Sequence, residues 1–448
     1  ASPRAPSRAV ARAREAPRRR RRPASSVARA PRSAPSSAVD DAFVRHSTTP
    51  RSRAIGARVG MRRAASRGVV ATARHGAADG ARRRRRARSR AQWDGLERWR
   101  EKALDARRAW GDGDEPTTTA DARARDDGGD ARALASRARE IVATACPREK
   151  ARLSHVAYGL LVRGKIDIAD ATTRASDMPT RPARPAKPRL VPPKEVPSPK
   201  NSPLGAAAHA MHTVTHIELN AIDLAWDTVG RFADLRGALP DQFFVDFAHV
   251  ADDESRHLLW CLQRLEELGV AYGDVAAHDV LWEGCEATRD DPLARLAVVP
   301  CMQEARGLDA GPRLVERLVG HGDARSAAIV ARISEEEIAH VAVGATWFRT
   351  VCAALGDDDD DARADDVAAA TFRAYIQRLA PDALRGPFNH DDRARAGIDP
   401  SWYADAADAS ADVAVQRRLF TFDDPRAASA LRARLRHVVA LETGARDA

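Results

Sequence analysis

The chain has 448 residues, with 73 Lys and Arg against 63 Asp and Glu, for a formal net charge of +10. The charge is unevenly placed: residues 1–150 hold 38 basic and 17 acidic side chains, and the rest hold 35 and 46. The part able to pack a core is therefore acidic, which argues against a broad basic face for nucleic acid and leaves only a local patch open.

No uninterrupted apolar run approaches the roughly 18–20 residues that span a bilayer. Five Cys with no Cys-x-x-Cys spacing argue against a disulfide framework or a zinc ribbon. They fit buried free thiols in a reducing, soluble setting.

Residues 1–90 are rich in Arg, Ala and Ser, and runs such as Arg18–Arg22 and Arg82–Arg86 cannot pack a core. The stretch from Met61 reads as the start of an organellar transit peptide, plastid or mitochondrial, with residues 1–60 as an upstream extension. A basic nucleic-acid-binding arm is the competing reading, and the lack of interleaved aromatics counts against it. Trp93 to Trp110 reads as a helix, and residues 147–166 as another. Between Pro179 and Pro203 prolines recur, which predicts an extended strap or a free linker rather than a packed element.

A bundle is expected from there. Ser202-Pro203 reads as the cap and first turn of a helix reaching Phe232. The next helix runs from Pro240 to Gly269, a C-terminal cap residue. A third covers Asp279 to Arg306 with a kink at Pro300, and Gly311-Pro312 opens a short helix to Val319. A fourth runs from Asp323 to Leu355. After an acidic loop, Asp357–Asp361, comes a helix over Ala364–Leu379, then an irregular aromatic stretch to Tyr403 and a weakly helical tail over 411–448. The expected organisation is a leader (1–90), N-terminal helices and strap (91–200), a four-helix bundle (201–356) and a C-terminal helix with an irregular tail (357–448).

Four carboxylates break the apolar stripes of these helices: Glu218, Glu254, Glu304 and Glu337. A buried unpaired carboxylate costs several kcal/mol or takes up a proton, so each wants a cation. Two of them begin Glu-x-x-His, with His257 and His340 one turn further along the same face. One such motif is a weak signal. Two, each on an amphipathic helix and each preceded by a lone Glu 36 or 33 residues earlier, place both pairs at one level of two helix hairpins. The order Glu, Glu-x-x-His, Glu, Glu-x-x-His is the ligand set of a carboxylate-bridged two-metal site. The competing reading, unrelated surface Glu and core His, needs four separate coincidences of face and level.

Carboxylates and imidazoles without thiolate suit Fe, or Mn, over Zn. Four Glu and two divalent ions sum to neutrality. Asp253 is the candidate acceptor for a ligand histidine's other nitrogen, with Arg256 to balance it. Glu336 is an alternative to Glu337 as ligand. His209, His212 and His216 lie on another stripe and read as packing residues.

Several segments together resemble the ferritin-like family known as domain of unknown function 455. They are the strap from Arg184 to Val196, His216–Leu224, Asp253-Glu-Ser-Arg-His257, Glu304–Asp309, Glu337-Ile-Ala-His-Val341 and Gly386-Pro-Phe-Asn-His390. A more distant similarity is to the ferritin-like transfer-RNA hydroxylase. The resemblance implies an all-α, ferritin-like four-helix bundle with extra terminal helices and a di-iron centre.

On these residues the chain reads as an O2-activating oxidoreductase, a hydroxylase or monooxygenase. Glu218, Glu254 and His257 would hold one iron, and Glu304, Glu337 and His340 the other. Substrate, electron donor and oligomeric state are left open by the residues. Iron handling without an organic substrate, and a bundle that serves only structure or partner binding, are the alternatives.

Overall fold

A computed structural model describes residues 95–105, 107–110, 132–169, 174–355 and 364–404. The leader, the Asp357–Asp361 loop and the 411–448 tail lie outside the described residues. Among the described residues the protein is all-helical, with no strand and two isolated bridges, Leu190 to Ala277 and Arg236 to Leu239. No described helix is long and apolar enough to cross a membrane.

Four rods form the bundle. The first two, α4 (Ala206–Arg231) and α5 (Asp241–Glu267), are uninterrupted helices. The third is a composite: α7 (Pro292–Val298), a π-helical turn over Val299–Glu304, and α8 (Ala305–Gly320). The fourth is α9 (Ala324–Leu355). Around them stand α1 (Leu96–Arg100), α2 (Leu134–Val142), α3 (Pro147–Val162), α6 (Val280–Glu286), α10 (Ala364–Leu379) and α11 (His390–Arg395). Trp226, Phe243, Phe244 and Phe348 are fully buried in the main core, large apolar payloads that hold the rods together.

The ends of α5 follow their residues. Pro240 caps the start. Gly269, at φ +72°, lets its own N–H reach the Glu266 carbonyl while the Val270 N–H reaches that of Leu265, the paired closure that a left-handed residue permits. The start of α4 differs from expectation. Ser202 accepts from the Leu204 N–H in a local turn, and the helix begins only after Gly205, at φ +78°.

The third rod departs furthest. The expected helix over Asp279–Arg306 is two helices, because α6 ends at a turn and Asp291 restarts the chain by accepting from the Ala294 N–H at 2.9 Å. At Pro300 the rod widens into the π turn. Pro312 does not open a helix; it sits inside α8. A proline there leaves the carbonyl four residues back without its donor, and Asn389 supplies one, its side-chain amide reaching the Leu308 carbonyl at 3.2 Å. Arg393 then clamps the neighbouring Asp309 through two hydrogen bonds at 2.8 and 2.7 Å. The Gly386-Pro-Phe-Asn-His390 motif is thus a splint for α8.

Two N-terminal expectations also change. The helix expected to Trp110 stops at Arg100, and residues 101–105 and 107–110 run over the bundle as a strap. Backbone groups of that strap are met by side chains: Gln263 accepts from the Trp110 N–H and donates to its carbonyl. Helix α2 was not expected; Leu134, Ala138, Ile141 and Val142 form its buried stripe. Helix α3 ends at Val162 rather than 166.

The Pro-rich segment is laid on the bundle rather than free. Arg184 pairs with Asp223 and Asn220 of α4, and Val191 donates to the Ala277 carbonyl. Lys150 of α3, fully buried, pairs with the same Asp223. All five Cys are free, four of them buried.

Candidate metal centre

Midway along the bundle, α4 contributes Glu218, α5 contributes Glu254 and His257, and α9 contributes Glu337 and His340. All five are buried, with Glu254 and His257 fully so. One ligand atom from each of Glu218, Glu254, His257 and Glu337 lies within 4.8 Å of the others.

The two carboxylates of the Glu-x-x-His motifs are shared. Glu254 sets one oxygen 3.4 Å from His257 Nδ1 and the other 2.8 Å from His340 Nδ1. Glu337 does the same at 3.6 and 3.1 Å. Glu218 stands 3.4 Å from His257 Nδ1.

Glu304 is less buried and is not in that group of four. It closes the π turn and shares with His340 a cavity of about 10 Å³, otherwise walled by Ala221, Ala225, Phe247, Val250, Val299 and Pro300. That is room for about one water-sized molecule.

His340 Nδ1 and Glu337 meet in hydrogen-bonding geometry, but most of the other contacts are close and misdirected. Both Glu254 oxygens, one Glu218 oxygen and His257 Nδ1 are buried without a hydrogen-bond partner, although buried polar atoms are nearly always paired. Atoms that crowd one point without bonding each other fit a cation at that point. Four carboxylates and two imidazoles would hold two divalent ions at charge neutrality.

Electrostatics agree. Burial pushes the Glu218 and Glu304 carboxyls well above the usual range, and neighbouring carboxylates push the same way. Burial would lower His257 and His340, but the surrounding carboxylates outweigh it and hold both well above an ordinary imidazole. Burial likewise opposes ionisation of Glu254, and the two histidines overcome it and hold its pKa down.

The outward nitrogens are held reciprocally. The Nε2 of His257 lies 2.9 Å from Glu336, the residue before Glu337 on α9. The Nε2 of His340 lies 3.5 Å from Asp253, the residue before Glu254 on α5. The residue before each motif carboxylate thus stands behind the histidine of the facing helix. Arg256, fully buried, pairs with both acceptors, at 2.9 Å from Glu336. With the Nε2–H so engaged, it is Nδ1 that would give up its proton and turn a lone pair inward to a bound cation. Glu336 therefore stands behind His257 rather than substituting for Glu337, a role visible only once the helices are paired.

The remaining histidines of α4 point elsewhere. His216 bonds Tyr272 and the His278 carbonyl, and His212 Nε2 accepts from the Gly273 N–H.

The fold and this cluster define an all-α protein with a buried carboxylate–imidazole centre. The chain belongs to the family described as protein of unknown function (DUF455), which matches residues 143–404 and so spans all six of these Glu and His. An uncharacterized protein of Haemophilus influenzae is 34% identical over 261 residues, covering 57% of this chain and 87% of its own length. No solved structure matches.

Proposed function

We propose that the protein is a ferritin-like dinuclear iron oxidoreductase that activates O2, of the hydroxylase or monooxygenase class. The observation that carries this reading is the sharing of Glu254 and Glu337, each with one oxygen toward either histidine. Such sharing suits two cations side by side rather than one. The donor set favours Fe, with Mn as the alternative.

Two bound irons would supply the redox chemistry with O2. The chain's own residues do the rest. Glu218 and His257 close one side, and His340 and Glu304 face the other. Asp253 and Glu336 orient the imidazoles. Phe247, Val250 and Val299 line the cavity and keep bulk water out.

The test is metal content and O2 uptake. Protein purified without chelators should carry two irons per chain and consume O2 after anaerobic reduction. Less than one transition metal per chain would end the reading.

A second reading, iron oxidation or buffering without an organic substrate, is favoured by the small cavity beside the centre. A cage-sized particle on gel filtration, with Fe(II) as the only species oxidised, would select it. The basic stretch from Met61 is read as an organellar targeting segment. Fused to a fluorescent protein, residues 61–90 should direct it to an organelle, and diffuse cytosolic signal would refute that.

A further inference from the structure

Helix α1 and the strap that follows it lie ahead of the family-matched span, yet their side chains converge on the layer directly behind the two histidines. That layer is Asp253, Arg256 and Glu336. Trp99 donates its indole N–H to Asp253 Oδ2 at 3.0 Å, the same oxygen that faces His340 Nε2. Lys102 stands 3.7 Å from Glu336 Oε1, while Oε2 of that carboxylate faces His257. Asp105 lies 3.6 Å from Arg256. Trp99 is fixed in place by stacking on His249 at 3.9 Å between ring centres.

We propose that α1 and the strap form a tuning arm of the metal centre, with Trp99 and Lys102 as positioning residues that set, through Asp253 and Glu336, how strongly the two ligand histidines donate to the metals. This rests on the dinuclear reading above.

The physical route is hydrogen-bond competition. A carboxylate oxygen that already accepts an indole N–H, or lies beside an ammonium, has less negative charge to offer the imidazole N–H. The imidazole keeps its proton more firmly and donates less through Nδ1. Loss of Trp99's N–H lets Asp253 draw harder on His340. Loss of Lys102 lets Glu336 draw harder on His257. Either change makes the ligand histidine more electron-rich and favours the oxidised metals.

The experiment measures the reduction potential of the iron-loaded full chain. Trp99→Phe keeps a ring on His249 and removes only the N–H. Its potential should fall, as should that of Lys102→Met, while Lys102→Arg restores the wild-type value. Arg100→Lys, which loosens the hold of α1 on Asp246 and touches neither acceptor carboxylate, should leave the potential where it was.

If the metal-loaded Trp99→Phe and Lys102→Met proteins keep the wild-type potential, or Arg100→Lys shifts it equally, the tuning inference is overturned while the metal reading stands. If the wild-type chain holds no metal, both fall.

Discussion

The two helix pairs carry the same order of residues, Glu then Glu-x-x-His, on different backbones. In the first pair, Glu218, Glu254 and His257 project from two unbroken helices and meet at 3.4 Å. In the second, α9 is regular, but Glu304 ends a π turn that contains Pro300, and it stands apart from the tight group. The regular pair closes its half of the centre. The irregular pair leaves a small cavity beside Glu304 and His340. A π turn adds a residue to the helical repeat and re-aims the side chains at its C-terminal end, so under the proposed function the irregular side is where a small reactant would enter.

The sharpest way to break the comparison is to remove one carboxylate from each half. Glu254→Ala deletes a residue shared by both histidines and should abolish binding of both metals, whereas Glu304→Ala should lose no more than one, read by metal analysis of dialysed protein. Equal losses would mean the halves are not distinct.

Next in size are Asp253→Asn and Glu336→Gln, which leave the ligands intact. Each should weaken metal affinity by about 10–100-fold, the usual effect of an outer partner, measured by competition with a chelator.

Gly344 tests the irregular rod itself. A Cβ there would lie 2.3 Å from Pro300 Cβ, so Gly344→Ala must push α9 and the π turn apart. A cost of about 1–3 kcal/mol is expected in denaturant unfolding, as for other overpacked cores, with the Glu304-side metal lost first.

The smallest effect is in pH. Burial holds His212 down to about 4, with His209 adding to it against Asp274, and its Nε2 accepts from the Gly273 N–H only when neutral. The unfolded residue titrates near 6.5, so between pH 6.5 and 4 the unfolded chain binds more protons. Stability is full above that window and falls as pH drops through it. His212→Gln should therefore lose less melting temperature than wild type between about pH 7.5 and pH 5.

Much of this was legible in the residues. The bundle helices α4, α5 and α9, and α10 beyond them, announce themselves by long apolar stripes, and the carboxylates on those stripes mark what needs a cation. The third rod was not legible in the same way. Pro312 can sit inside α8 because Asn389, distant in sequence, serves the carbonyl it leaves open. The strap after Arg100 is anchored at its end by Gln263, which meets both backbone groups of Trp110, a tertiary fact that local apolar spacing at Leu96 and Trp99 could not reveal. The role of Glu336 needed the facing helix as well. Asp291-Pro292, by contrast, is a readable start signal for α7, and α2 has a readable stripe.

The most direct measurement is anomalous diffraction at the iron edge from crystals of protein grown with iron and without chelator. Two peaks should appear between Glu254 and Glu337, one beside His257 Nδ1 and the other beside His340 Nδ1. A single peak, none, or iron on the outer side against Asp253 and Glu336 would contradict the account.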